Sequence, residues 1–146
     1  VCAAGINTFG QLGIDPGKQI KINSFVEILP GGVKAVAAGG GHSMALKQDG
    51  SVWSTGRNKH GQIGDLSNTD RHSFVPVIPV HAKVVAAGTK HSLVVMRDGS
   101  VWATGFNLYG QLGDGSTTDK NRFVQVMSGD ACAVAAGSDH SMEARW

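Results

Sequence analysis

At 146 residues, 41% hydrophobic, 16% charged and with a net charge of +2, the chain has the size and composition of one globular domain, which excludes disorder. Glycine is the outlier: its 21 residues are about twice the usual ~7%, beside only 4 prolines and no G-X-Y period, so a collagen and a flexible linker are excluded as well. The 13 basic residues are scattered from Lys18 to Arg145, which does not point to nucleic acid, and no apolar stretch reaches the ~18 residues a membrane-spanning helix requires.

The sequence opens Val1-Cys2-Ala3-Ala4-Gly5, with neither an initiator Met nor a leader-like apolar core, and is expected to be a processed or excised segment. The only cysteines, Cys2 and Cys132, are too few for a disulfide scaffold and lack zinc-ligand spacing.

Internal repetition organises everything else. His42-Ser43, His91-Ser92 and His140-Ser141 lie 49 residues apart, and Asp49 to Gly56 returns as Asp98 to Gly105 at the same interval. Asn58-Lys59-His60-Gly61-Gln62-Ile63-Gly64 returns as Asn107-Leu108-Tyr109-Gly110-Gln111-Leu112-Gly113, and stands first at Asn7-Thr8-Phe9-Gly10-Gln11-Leu12-Gly13, 51 residues earlier. The two extra residues fall in the loop after Gly13, because Phe25, Phe74 and Phe123 are again spaced by 49.

Within a period the apolar runs are short and bounded by glycine, which predicts strands. In the middle copy they are 83–87, 92–96, 101–104 and 123–126, with Asp98-Gly99 as a type I′ hairpin turn between the second and third. Four short antiparallel strands per ~50 residues is the size of a β-propeller blade. The fold class is therefore all-β, with three four-stranded antiparallel repeat units of about 49–51 residues and Gly-rich turns. The Val-Ala-Ala-Gly runs ending at Gly39, Gly88 and Gly137 are small enough for the crowded strand nearest the axis.

Gly-His-Ser, then Asp-Gly-Ser-Val-Trp, then Thr-Gly-x-Asn-x-x-Gly-Gln-Leu-Gly-Asp resembles the repeat of the regulator of chromosome condensation family along essentially the whole chain. The resemblance implies a propeller that binds protein partners. A kelch repeat fits less well, since Gly39-Gly40 has no counterpart at Gly88-Thr89 or Gly137-Ser138. The Val-Trp-x-Thr-Gly spelling is similar to that of bacterial, often exported, members, which favours an extracellular setting.

Residues 1–146 form a single repeat domain of three phase periods, 1–51, 52–100 and 101–146, cut at a hairpin turn. Three blades do not close a ring, since propellers use roughly four to eight. The strand near Trp146 and the strand at 1–4 are complementary in phase, so the ends are suited to head-to-tail pairing, as a ring or a filament, or to continuation into further blades. Closure would bring Cys2 and Cys132 toward each other, making a disulfide there a hypothesis.

His42, Ser43 and Asp49 contain the residue types of a hydrolytic triad, but the pair recurs at the same phase of every repeat. His42, His91 and His140 are therefore read as structural, satisfying backbone groups by local hydrogen bonds. Trp53 and Trp102 are read as blade-packing residues, and Gly56 and Gly105 as turn glycines that need positive φ or close approach. His60, His72 and His81 share no ligand spacing, and the loop Asp114 to Asp119 lacks the EF-hand order. No catalytic residue, cofactor or metal is expected.

Between the fixed glycines the residues vary: Arg57, Lys59 and His60 become Phe106, Leu108 and Tyr109. Loops on a rigid scaffold are where binding surfaces are built, and Phe106 and Tyr109 are the first candidates for anchors. The expected function is a non-catalytic binding or assembly scaffold. Its partners would be a protein or copies of itself, with neither nucleic acid nor membrane favoured. A structural polymer ranks second, and a guanine-nucleotide-exchange-type regulator or sugar binder third.

Overall fold

Short runs rich in valine and alanine, separated by glycine turns, form twelve antiparallel strands in the computed structural model, which describes residues 1–146. They are β1 (Cys2–Ile6), β2 (Lys21–Glu27), β3 (Val33–Ala38), β4 (His42–Lys47), β5 (Val52–Gly56), β6 (Arg71–Ile78), β7 (Ala82–Ala87), β8 (His91–Met96), β9 (Val101–Gly105), β10 (Lys120–Met127), β11 (Ala131–Ala136) and β12 (Ser141–Arg145). No helix is long and apolar enough to cross a membrane.

The strands group into two complete four-stranded blades, β3-β4-β5-β6 and β7-β8-β9-β10, flanked by two half-blades, β1-β2 and β11-β12. Instead of three whole units, the chain thus holds two whole blades and two halves. Blade boundaries fall at the turns near Gly32, His81 and Asp130, whereas the sequence period is cut at the β4-β5 type of hairpin, so each period crosses two sheets.

Strand β10 begins at Lys120, three residues ahead of the apolar run that predicts it. Lys120 still pairs with Gly105 across a register shift before Val124 meets Ala103. The Asp98-Gly99 turn also differs from the expected type I′, because Gly99 has φ +80° while Asp98 is not among the residues with positive φ. The amide of Gly99 donates to the Met96 carbonyl, and Asp98 Oδ1 accepts from the Ser100 amide at 2.9 Å. This is a type I turn followed by a glycine in the left-handed region, the arrangement a hairpin uses when an Asx turn tightens it.

The core lies between blades. Met44, Leu46 and Val52 of the first blade pack on Val94 of the second, while Leu93 and Val95, on the opposite face of β8, pack toward β11. The first strands β3, β7 and β11 approach one another, and the turns after them are stitched by Gly40 N–H to Gly88 O at 3.3 Å and Thr89 N–H to Gly137 O at 3.2 Å. These are the Val-Ala-Ala-Gly strands, and their small side chains permit that convergence.

Candidate partner-binding loop face

The loops after β5 and β9 share one skeleton, built by an asparagine that sequence reasoning did not single out. Asn58 is fully buried. Its Nδ2 donates to the carbonyls of Ser67 and Thr69 at 3.0 and 3.1 Å and to Asp65 Oδ1 at 3.0 Å, while its Oδ1 accepts from the Ile63 amide at 3.0 Å. Asn107 makes the same bonds to Ser116, Thr118, Asp114 and Leu112. Recurrence of Asn7, Asn58 and Asn107 at one phase was the available signal, and it was masked by the glycines around them.

Gln62 and Gln111 complete the frame, accepting at Oε1 from the amides of His60 and Tyr109 at 2.9 and 3.1 Å. Burial raises the Asp114 pKa, but hydrogen bonds from Ser116, Lys120 and Asn107 outweigh it and hold the carboxyl at about 2. The same kind of contacts, with Arg71 in place of Lys120, lower Asp65. Both carboxylates are thus committed to holding their loops, and Asp119 is spoken for by the Asn107 amide and His60. Each loop is a pinned structure, and of its variable positions Lys59, Leu108 and Tyr109 are exposed while Arg57, His60 and Phe106 are half-buried.

Those positions separate into three sets. His60, Phe106 and Tyr109 come together: the His60 ring meets Phe106 edge-on at 4.8 Å, and Phe106 meets Tyr109 edge-on at 5.9 Å. Lys90 places its ammonium 5.1 Å from the Phe106 ring, and His60 Nδ1 lies 3.1 Å from Asp119. Arg57 lies apart, stacked on Phe9 at 4.7 Å. Lys59 and Leu108 stand free of the cluster. Phe106 is half-buried beneath its neighbours, whereas Leu108 and Tyr109 are 57% and 67% exposed.

The repeat-structural residues lie below this face. His42 Nε2 is 2.8 Å from Ser92 Oγ, and His91 Nε2 is 2.9 Å from Ser141 Oγ, so the bonds join neighbouring repeats instead of being local. Ser92 Oγ donates its proton to Gln62 O at 2.7 Å. His42 must therefore be the donor at Nε2, which leaves Nδ1 bare and buried without a partner. Burial, and secondarily the charge of His91, depress the His42 pKa to about 4. His91 is lowered as well, chiefly by burial. Asp49 caps its own hairpin through the Ser51 amide at 2.8 Å, at the far end of β4, so these groups do not assemble a triad.

His140 is exposed, its ring against Gly137. Trp53 and Trp102 are half-buried; each indole donates to the serine two residues before it, at 3.2 and 3.1 Å, and Lys47 lies 4.0 Å over the Trp53 ring. Gly56 and Gly105 have φ +108° and +112°. A Cβ on Gly105 would stand 2.5 Å from Lys90 O and 2.7 Å from His91 Cα, so both conformation and space require glycine. Cys2 and Cys132 are free thiols.

The repeat pattern described as "Regulator of chromosome condensation (RCC1) repeat" matches residues 1–46, 49–95 and 98–142, and a second pattern of the same description matches 33–62 and 82–111. The chain belongs to the RCC1 repeat family. Among similar proteins, the probable E3 ubiquitin-protein ligase HERC4 of Mus musculus is 41% identical over 70 residues, covering 47% of this chain and 7% of that protein. The RCC2 homolog of Xenopus laevis is 43% identical over 67 residues (45% and 13%), and the secretion-regulating guanine nucleotide exchange factor of Bos taurus 35% over 66 (42% and 14%).

Among solved structures, Prp20p of Saccharomyces cerevisiae, described with its binding to Gsp1p and histones, superposes with a TM-score of 0.80 at 26% identity over 97% of this chain and 38% of its own. Human WBSCR16 superposes with a TM-score of 0.86 at 25% identity over 99% and 39%. The RCC1 β-propeller fold is thereby shown. The chain spans only a minor part of each relative's length.

Proposed function

We propose that this RCC1-repeat unit is a non-catalytic protein-binding scaffold whose partner docks on the loop face around Phe106, Leu108 and Tyr109. One observation carries the reading: two exposed apolar side chains and an aromatic cluster with a cation over it stand on loops whose every turn is pinned by Asn58, Asn107, Gln62 and Gln111. Pre-organised loops lose little entropy on docking, and large aromatic side chains dominate contact energy. The same scaffold has open edges on β1 and β12, suited to head-to-tail pairing with another copy or to continuation into further blades.

Likeness to an exchange factor and to Prp20p favours, second, a small GTPase as the protein on that face. Affinity capture tests the first reading. A protein retained by the wild-type chain and by a Lys34→Ala control, yet lost from the Leu108→Ser, Tyr109→Ala double variant, is the expected result. Equal retention by all three baits would remove the loop face from the account.

A further inference from the structure

One repeat departs from its siblings on the flank between the two complete blades. Leu66 has φ +67°, a left-handed conformation that its counterpart one period on fills with Gly115 at φ +78°. A leucine there strains the backbone, and this one is also 70% exposed, so the fold gains neither ease nor burial from it. Its amide donates to the Asn121 carbonyl at 2.8 Å, which fixes the side chain at the border of a groove of about 550 Å³. Strain of this kind persists where the surrounding structure imposes it and is concentrated at contact sites.

The groove lies between two sheets that each have all four strands, so its walls are complete. Val77 and Val80 line it from the first blade, and Met96, Trp102 and Phe123 from the second. Val77, Met96 and Phe123 continue inward onto the core between the blades. The preceding joint is spelled differently. One period before Val80, His81, Met96 and Arg122 stand Gly31, Gly32, Lys47 and Ser73, and the Lys47 ammonium lies 4.0 Å over the Trp53 ring. Where a cation covers the first indole, the second shares its groove with a thioether and two valines.

The border of this apolar surface carries a cation without a counter-charge. Arg122 is exposed, lines the groove and forms no salt bridge, because Asp65, which faces it across an isolated β-bridge, is taken by Arg71. The amide and carbonyl of Val80, a residue 41% exposed, make no backbone hydrogen bond. An apolar channel bordered by a free guanidinium and by free backbone groups complements an extended chain that carries a large apolar side chain beside a carboxylate.

We propose that this inter-blade groove is a second docking site, and that it takes an extended peptide segment of a partner protein with a large apolar residue next to an aspartate or glutamate. The apolar side chain enters the groove beside Trp102 and Met96, Leu66 packs on it from the border, and the carboxylate pairs with the Arg122 guanidinium. Burial of apolar surface supplies affinity, and the planar donors of the arginine fix the direction of the peptide. The site goes beyond the loop-face reading and uses none of its residues, so either can fail without the other.

Selection of a phage-displayed library of random dodecapeptides on the immobilised chain provides the test, followed by fluorescence anisotropy of the enriched peptides carrying a fluorescein label. The enriched sequences are expected to share a large apolar residue adjacent to an acidic one. Arg122→Ala should weaken their binding roughly 10-fold. Met96→Lys, which gives the groove the residue of the preceding joint, should weaken it at least as much. Leu66→Gly should weaken it roughly 5- to 30-fold while the urea midpoint stays level or rises, because glycine relieves the strained conformation. The Leu108→Ser, Tyr109→Ala double variant should bind the peptides as the wild type does. An unenriched library, enriched peptides without the apolar-acidic pair, or equal binding by Arg122→Ala and Leu66→Gly would overturn the proposal. A Leu66→Gly midpoint that falls in step with binding would return that leucine to the fold and remove the contact assigned to it. A two-chain species in light scattering that Leu66→Gly dissociates would give the groove to a second copy in place of a peptide.

Discussion

The loop after β5 and the loop after β9 have the same skeleton and different exteriors. Both hang on a buried asparagine with four backbone or carboxylate contacts, and both carry midway an acidic residue that anchors a basic one, Asp65 with Arg71 and Asp114 with Lys120. Outside that frame, Arg57, Lys59 and His60 stand where the second loop has Phe106, Leu108 and Tyr109. The comparison teaches that repetition in this protein specifies mechanics and that departures from repetition are free to specify contact.

The hardest way to break the comparison is to attack the strand end from which the second loop springs. Gly105→Val should abolish native circular dichroism and solubility, at a cost above about 4 kcal/mol, because a side chain there meets Lys90 O at 2.5 Å in a φ of +112°. A variant that keeps its spectrum would refute the positive φ and the close backbone approach at the end of β9.

Acid is a gentler lever on the same frame. His42 is held neutral with a folded pKa of about 4 against 6.5 for the ordinary group, so the unfolded chain binds more protons between those values. Its contribution is complete above pH 6.5 and is lost as the pH falls toward 4, on the order of 3 kcal/mol in all. Urea midpoints should fall over that window, and a midpoint that stays level would show that the histidine titrates freely.

Next in size, Asn107→Ala removes the bonds to Leu112, Ser116 and Thr118 and should cost about 2–4 kcal/mol in denaturant unfolding. It should also loosen the loop that presents Tyr109. An effect below about 0.5 kcal/mol would mean that the loop holds its shape without the asparagine.

The smallest expected change sharpens the other side of the comparison. Tyr109→Ala should alter stability by less than about 0.5 kcal/mol, since the side chain is 67% exposed, while weakening capture of the loop-face partner. A collapse of stability would move Tyr109 from the contact surface into the frame.

Much of the frame was legible in the sequence, because a repeated segment must solve the same packing problem each time. Spacing of His-Ser and Asp-Gly-Ser-Val-Trp was enough to place the strands and hairpins. Asn58 and Asn107 were equally periodic, but an asparagine flanked by glycines reads as a turn residue until its four contacts are seen. The Asp98-Gly99 hairpin shows the same limit, since the dipeptide suits two turn types and only the Asx bond to Ser100 selects one.

By itself the sequence determined the β-propeller blade, its family and its strand order, since these depend on local turn chemistry and on an alternation that each repeat carries within itself. Only the tertiary structure decided that His42 bonds Ser92 of the next repeat, that His60 meets Phe106, and that Phe74 and Phe123 cover Gly13 and Gly64. Those contacts join residues about 45 to 60 positions apart through the angle between blades, and no periodicity within a chain encodes that angle.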